Sequence, residues 1–105
     1  MSKSEKPPRR HEVIDSVCVI LAEQLDFPLE KIFPDTNLMK QMKADQGDLL
    51  EICFRIEQRF GLKNIVQECH FNTMSRRELE SIVAGQLVDF VCQQIGAVSL
   101  RNPPH

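Results

Sequence analysis

Cys69 and His70 form the one adjacent thiol–imidazole pair in this sequence. In a hydrolase such groups serve as nucleophile and general base, the imidazole taking the thiol proton so that a thiolate attacks a carbonyl. Neighbouring side chains diverge in a helix or a strand, however, and catalytic triads assemble from distant segments. No glycine-rich turn accompanies the pair to supply an oxyanion hole. The expectation is a buried or half-buried cysteine beside a surface histidine, with no catalytic residue and no enzymatic activity.

The other chemically capable groups are just as plainly structural. Cys18, Cys53 and Cys92 fall within or beside helical apolar stripes and read as small core residues. The four cysteines match neither a CxxC nor a zinc spacing, so no metal site is expected. No apolar run approaches a membrane span, and "MSKSEKPPRRHE" lacks the apolar centre of a secretory signal. The expected compartment is the cytoplasm, where the cysteines stay reduced. A net charge of −2, with no Trp or Tyr, gives neither an electrostatic field nor stacking platforms for nucleic acid. With 42% hydrophobic residues, the 105-residue chain is long enough for one core.

Three amphipathic helices must position whatever function there is. The first is predicted over about His11–Leu25, with Ile14, Val17, Cys18, Leu21 and Leu25 as its stripe. The second is predicted over Gln46–Phe60, with Leu49, Ile52, Cys53, Ile56 and Phe60. Asp45 caps it and Asp48 suits the positive end of its dipole. The third is predicted over Arg76–Ile95, opened by a Ser75/Glu78 capping box and stopped at Gly96. Its buried face is Leu79, Ile82, Val83, Leu87, Phe90 and Val91. A short helix is expected around Ile65–Cys69, and no segment alternates as a strand does. The fold class is all-α: a four-helix bundle of three long helices and one short one. Residues 1–10, including the basic "KPPRRH", are expected to form a flexible solvated tail, 11–96 the domain, and 97–105 a second tail. Between the first two helices lies an unusually long connection, Asp26–Ala44. Its Phe27, Leu29, Ile32, Phe33, Leu38 and Met42 predict that it lies on the core. Met39 and Met42 are expected to fill core space.

This organisation resembles the acyl carrier proteins over roughly Glu12–Gly96. "FPLEKIFPDTNL" looks like the family's loop pattern x-Pro-x-x-x-Ile-x-Pro-Asp-x-x-Leu. "KADQGDLLEICFRIEQRFGL" is similar to its signature Gly-x-Asp-Ser-Leu-Asp followed by an apolar helix ending Glu-x-x-Phe-Gly. The extra residues of 65–74 look like the extension in specialised carriers that serve lipid A acylation. The resemblance implies an acyl-carrier-like fold and a place beside enzymes of lipid, fatty-acid or polyketide-type biosynthesis.

One departure matters. Aligning Asp45 and Asp48 with the family's two aspartates puts Gln46 at the serine that accepts 4′-phosphopantetheine, and Gly47 where a leucine usually follows. A carboxamide cannot form that phosphodiester. Ser16, Thr36 and Ser75 lie elsewhere, so no phosphopantetheine is expected and no residue is assigned to binding it. The expectation is therefore a monomeric protein–protein module docking through helix two. Asp48, Glu51, Phe54, Arg55, Glu57 and Gln58 are its partner-facing candidates, and Phe54 is the apolar contact among acids and bases. Two alternatives stand beside it. One is a working carrier with unconventional attachment. The other is a generic helical adaptor, which predicts no long packed loop.

Overall fold

The computed structural model describes residues 8–71 and 73–101. Helix α1 is Arg10–Leu25, α2 Gln46–Phe60, α3 Ile65–Cys69, α4 Arg76–Leu79 and α5 Ala84–Arg101. Among the described residues there is no strand, only an isolated antiparallel bridge between Asn37 and Val83. The α1 helix packs against both α2 and α5, and α2 packs against α3. Leu21, Leu38, Leu49, Ile52, Ile56, Ile65 and Val91 fill the space between them, all fully buried. This is the expected all-α bundle.

The second and the short helix begin and end where their residues predict. The capping carboxylate of Asp45 opens α2, and Gly61 ends it in the left-handed region at φ 66°, where glycine carries no Cβ penalty. Leu49, Ile52, Cys53 and Ile56 are buried as expected, while Phe60 is half-buried.

The first helix is rotated slightly from its predicted stripe. Val17 and Leu21 are buried as expected, but Val13 and Ile20 join them, whereas Ile14 is 38% exposed and Cys18 and Leu25 are half-buried. Both registers have apolar i, i+3, i+4 spacing, and packing against α2 and α5 selects one of them.

The third predicted helix is not continuous. It is interrupted after α4, and 80–83 form a turn before α5 begins. The cause is the long connection, which crosses this point and takes its backbone groups. Leu38 N–H donates to Ile82 O at 3.1 Å, Ala84 N–H to Thr36 O at 2.9 Å, and Gly85 N–H to Pro34 O at 2.8 Å. The Asn37 side chain donates to Glu80 O at 2.6 Å, and Gln86 Oε1 accepts from the Val83 N–H. A continuous helix would need several of these groups for itself. Leu79, Ile82, Leu87 and Val91 are buried as expected; Val83 and Phe90 are half-buried, and Ala84 and Val88 join the core. Nor does Gly96 stop the helix, because α5 continues to Arg101.

The connection packs as expected at Leu38 and Met42, with Phe27 and Ile32 half-buried and Thr36 and Ala44 also buried. Leu29, in a one-turn 3-10 helix at Leu29–Lys31, and Phe33 depart from expectation: both stay exposed. The predicted tails fall largely outside the described residues. Where they are described, Arg10 is already helical and bonds Asp89 of α5, and 97–101 belong to α5.

Candidate functional site at the start of helix two

The residues at the start of α2 are held by one another. Asp45 Oδ1 accepts from the Asp48 N–H at 2.7 Å, and Asp48 Oδ2 accepts from the Asp45 N–H at 3.1 Å. This reciprocal box satisfies two donors that a helix start leaves free. Asp48 Oδ1 also accepts from Gln24 Nε2 of α1 at 3.3 Å, so the carboxylate is committed inside the molecule. Gln46 is the first helical residue. Its Nε2 donates to the carbonyl of Phe71 at 2.9 Å, joining the beginning of α2 to the turn that follows α3. Gly47 fastens nothing, and a Cβ there would meet only Asp45 Oδ1, at 3.4 Å. Two residues before Asp45, Lys43 takes φ 65°, a left-handed conformation that glycine adopts more readily.

A surface cleft of about 480 Å3 opens beside Gln46, lined in part by Met39, Lys43, Met74 and Leu79. No side-chain hydroxyl stands in the first turn of α2. Among the described residues, several hydroxyls elsewhere are committed to local backbone: Thr36 Oγ1 accepts from Phe33 N–H, Ser75 Oγ accepts from Glu78 N–H, Thr73 donates to His70 O, and Ser81 donates to Glu78 O. Ser16 lies on α1. The start of α2 offers an amide, whose nitrogen lone pair is delocalised, and two carboxylates already bonded to backbone.

The outward face of α2 divides in two. Glu57 Oε2 accepts from the Val66 N–H at 3.1 Å and so caps α3, and Arg55 turns to Glu23 of α1 at 3.5 Å. With Asp48, these three are occupied within the fold. Glu51, Phe54 and Gln58 remain exposed at i, i+3 and i+7, and Phe54 shows 46% of its surface. Of the six candidates, Glu51, Phe54 and Gln58 are thus exposed, and Asp48, Arg55 and Glu57 are half-buried.

His70 is exposed beside a buried Cys69, as expected, and caps α3 in the left-handed region at φ 59°. Sequence reasoning missed what Cys69 meets. Its Sγ lies 3.1 Å from Sγ of Cys53 on α2, and it also contacts Val66 O at 3.3 Å. The Cys53 hydrogen bond draws the Cys69 thiol below its ordinary range against the opposing effect of burial, helped by the Phe71 N–H. The same bond, followed by burial, pushes Cys53 up. No spacing rule signals a pair sixteen positions apart on two different helices; only the apolar setting of both residues hinted that they share a core.

No family model matches the chain. Individual relatives do. Over 52 residues, half of the chain, it is 31% identical to an acyl carrier protein of Thermosynechococcus vestitus, covering 64% of that protein. Over 77 residues, 73% of the chain, it is 23% identical to an acyl carrier protein of Rubrobacter xylanophilus, covering 95% of it. It is 32% identical over 54 residues to one from Saccharopolyspora erythraea, matching 51% of this chain and 57% of that protein. The chain thus spans less than two thirds of the Thermosynechococcus and Saccharopolyspora proteins.

Proposed function

Because the chain is related to the acyl carrier proteins, we propose that it is a carrier-like module that no longer carries: a non-catalytic, monomeric partner of biosynthetic enzymes that handle acyl chains. In this reading Gln46 occupies the position of the attachment serine. The observation that supports it most is the bond from Gln46 Nε2 to Phe71 O. A residue at that position is used to fasten α2 to the turn after α3, a structural role that leaves no hydroxyl for phosphopantetheine. The residues present do not fit that group. Two further observations agree with the alignment. The left-handed backbone of Lys43 falls where the family signature has glycine. The long connection is packed on the core at Leu38 and Met42, which a generic adaptor would not require.

Docking is assigned to Glu51, Phe54 and Gln58, the exposed row on α2. An aromatic ring next to a carboxylate suits a partner surface with an apolar pocket rimmed by Lys or Arg. The described helices include none long and apolar enough to cross a membrane. The test is incubation of the purified protein with coenzyme A and a broad-specificity phosphopantetheinyl transferase, followed by intact-mass spectrometry. Unchanged mass is the expected result. A gain equal to the phosphopantetheine arm, at any side chain, overturns the proposal.

A further inference from the structure

The Cys53–Cys69 pair has no part in the docking proposed above. Both thiols are free, they belong to different helices, and their sulfurs are 3.1 Å apart. A disulfide needs about 2.05 Å, so closing the bond requires a displacement of roughly 1 Å. The two sulfurs are unequal in access. Cys53 is fully buried. Cys69 is 7% exposed and forms part of the wall of a surface pocket of about 460 Å3, together with His70, Phe71, Met74, Ile82 and Phe90.

We propose that Cys53 and Cys69 form a peroxide-responsive disulfide site, with Cys69 as the attacking sulfur and Cys53 as the resolving one. The small opening at Cys69 suits hydrogen peroxide better than a bulky disulfide. The Cys69 thiolate attacks one peroxide oxygen; the O–O bond breaks, a sulfenic acid forms and hydroxide leaves. The Cys53 sulfur then attacks the sulfenic sulfur, and the S–O bond breaks as the S–S bond forms. The Cys53 proton and the departing hydroxide leave as water. Two thiols lose two electrons and two protons, and one peroxide becomes two waters. The hydrogen bond from Cys53 favours the Cys69 thiolate, which makes the first step accessible near neutral pH.

The linkage would tie α2 to α3 and thereby fix the Phe71 turn that receives Gln46. A disulfide closing a loop of this length raises the melting midpoint by roughly 10 °C or more.

The test uses the full-length protein at neutral pH with one equivalent of hydrogen peroxide. Non-reducing peptide mapping is expected to show one Cys53–Cys69 cross-link, lost on dithiothreitol treatment, with the mass of two hydrogen atoms missing from the intact protein. The Cys18→Ser/Cys92→Ser double variant is expected to give the same cross-link. In Cys53→Ser that remains folded by circular dichroism, dimedone is expected to label Cys69. Linkage of any other pair, or unreacted thiols, overturns the proposal on the wild-type protein alone, whatever the variants do. A folded Cys53→Ser variant whose Cys69 resists dimedone overturns the assignment of Cys69 as attacking sulfur.

Discussion

Replacing Gly85 with alanine tests whether the long connection and the start of α5 are fitted as closely as their hydrogen bonds imply. A Cβ at Gly85 would stand 2.9 Å from Pro34 O and 3.3 Å from Pro34 Cβ. To reach the ordinary contact distance of 3.4 Å, the Pro34 carbonyl must retreat by about 0.5 Å, a typical overpacking displacement. That carbonyl is backbone and cannot swing aside as a side chain does. It also accepts the Gly85 N–H at 2.8 Å, and the neighbouring bonds from Ala84 to Thr36 and from Leu38 to Ile82 move with it. Overpacking of this kind costs about 1–3 kcal/mol. Weakening the bond to Pro34 adds about 0.5–1.5 kcal/mol. Alanine returns at most about 1 kcal/mol through its better helix propensity. The expected net is a loss of about 1–3 kcal/mol, from the overpacking term chiefly. In a domain of this size it lowers the melting midpoint by roughly 5–20 °C. Thermal unfolding followed by circular dichroism measures it. Gly96→Ala supplies the comparison, since a Cβ there meets nothing within 4 Å and α5 continues past it. That variant should hold or raise the midpoint. If Gly85→Ala melts at or above wild type, as Gly96→Ala is expected to, the close approach to Pro34 has been misjudged.

Other predictions address the start of α2 and the thiol pair. Asp45→Ala removes the side chain that accepts the Asp48 N–H and should destabilise by about 0.5–2 kcal/mol in denaturant titration, with Asp45→Asn retaining most of it. Gly47→Ala meets only ordinary contact and should stabilise by up to about 1 kcal/mol in the same assay. Gln46→Ser gives up the bond to Phe71, at about 0.5–1.5 kcal/mol, but supplies the missing hydroxyl; mass spectrometry after transferase treatment should show the arm on this variant alone. The rate at which Cys69 is oxidised should rise with pH to a plateau, with its midpoint at lower pH than for an ordinary cysteine, because its pKa is lowered and only the thiolate reacts. Glu57, Glu68, His70 and Glu78 are the titratable groups around it, and Cys53→Ala, which removes the donor, should move the midpoint upward. A midpoint unchanged by that substitution, measured by stopped-flow alkylation, would contradict the hydrogen bond as its cause.

The helices that begin with a strong local signal were legible. Asp45 in front of an apolar stripe fixes the start of α2, and Ser75 with Glu78 fixes the start of α4. What could not be read was decided at a distance. The break after α4 comes from backbone groups of Pro34, Thr36 and Leu38, which lie more than forty positions earlier and have no periodicity of their own. The rotation of α1 came from a choice between two apolar faces that Ile14 and Val13 support equally in sequence. At the site, the types of Asp45, Gln46 and Asp48 foretold a capped helix start. The partners that occupy Asp48, Arg55 and Glu57 were hidden, because Gln24, Glu23 and Val66 belong to other elements. The approach of Cys53 to Cys69 was hidden for the same reason.

The crossing of 34–38 over 80–85 also bears on how the chain acquires its shape. Residues 34–38, synthesised well before α4 and α5, keep their amide and carbonyl groups waiting for partners near the end of α4 and the beginning of α5. Until those arrive, Leu38 has no acceptor and Thr36 no donor to bury against, so an α1–α2 hairpin lacks the strap that closes it. Pairing across so long a separation ties up chain entropy before it is rewarded, which slows the search compared with a bundle of purely local turns. Assembly is therefore a late, all-together event, and a nascent fragment ending before Gly85 emerges unfinished.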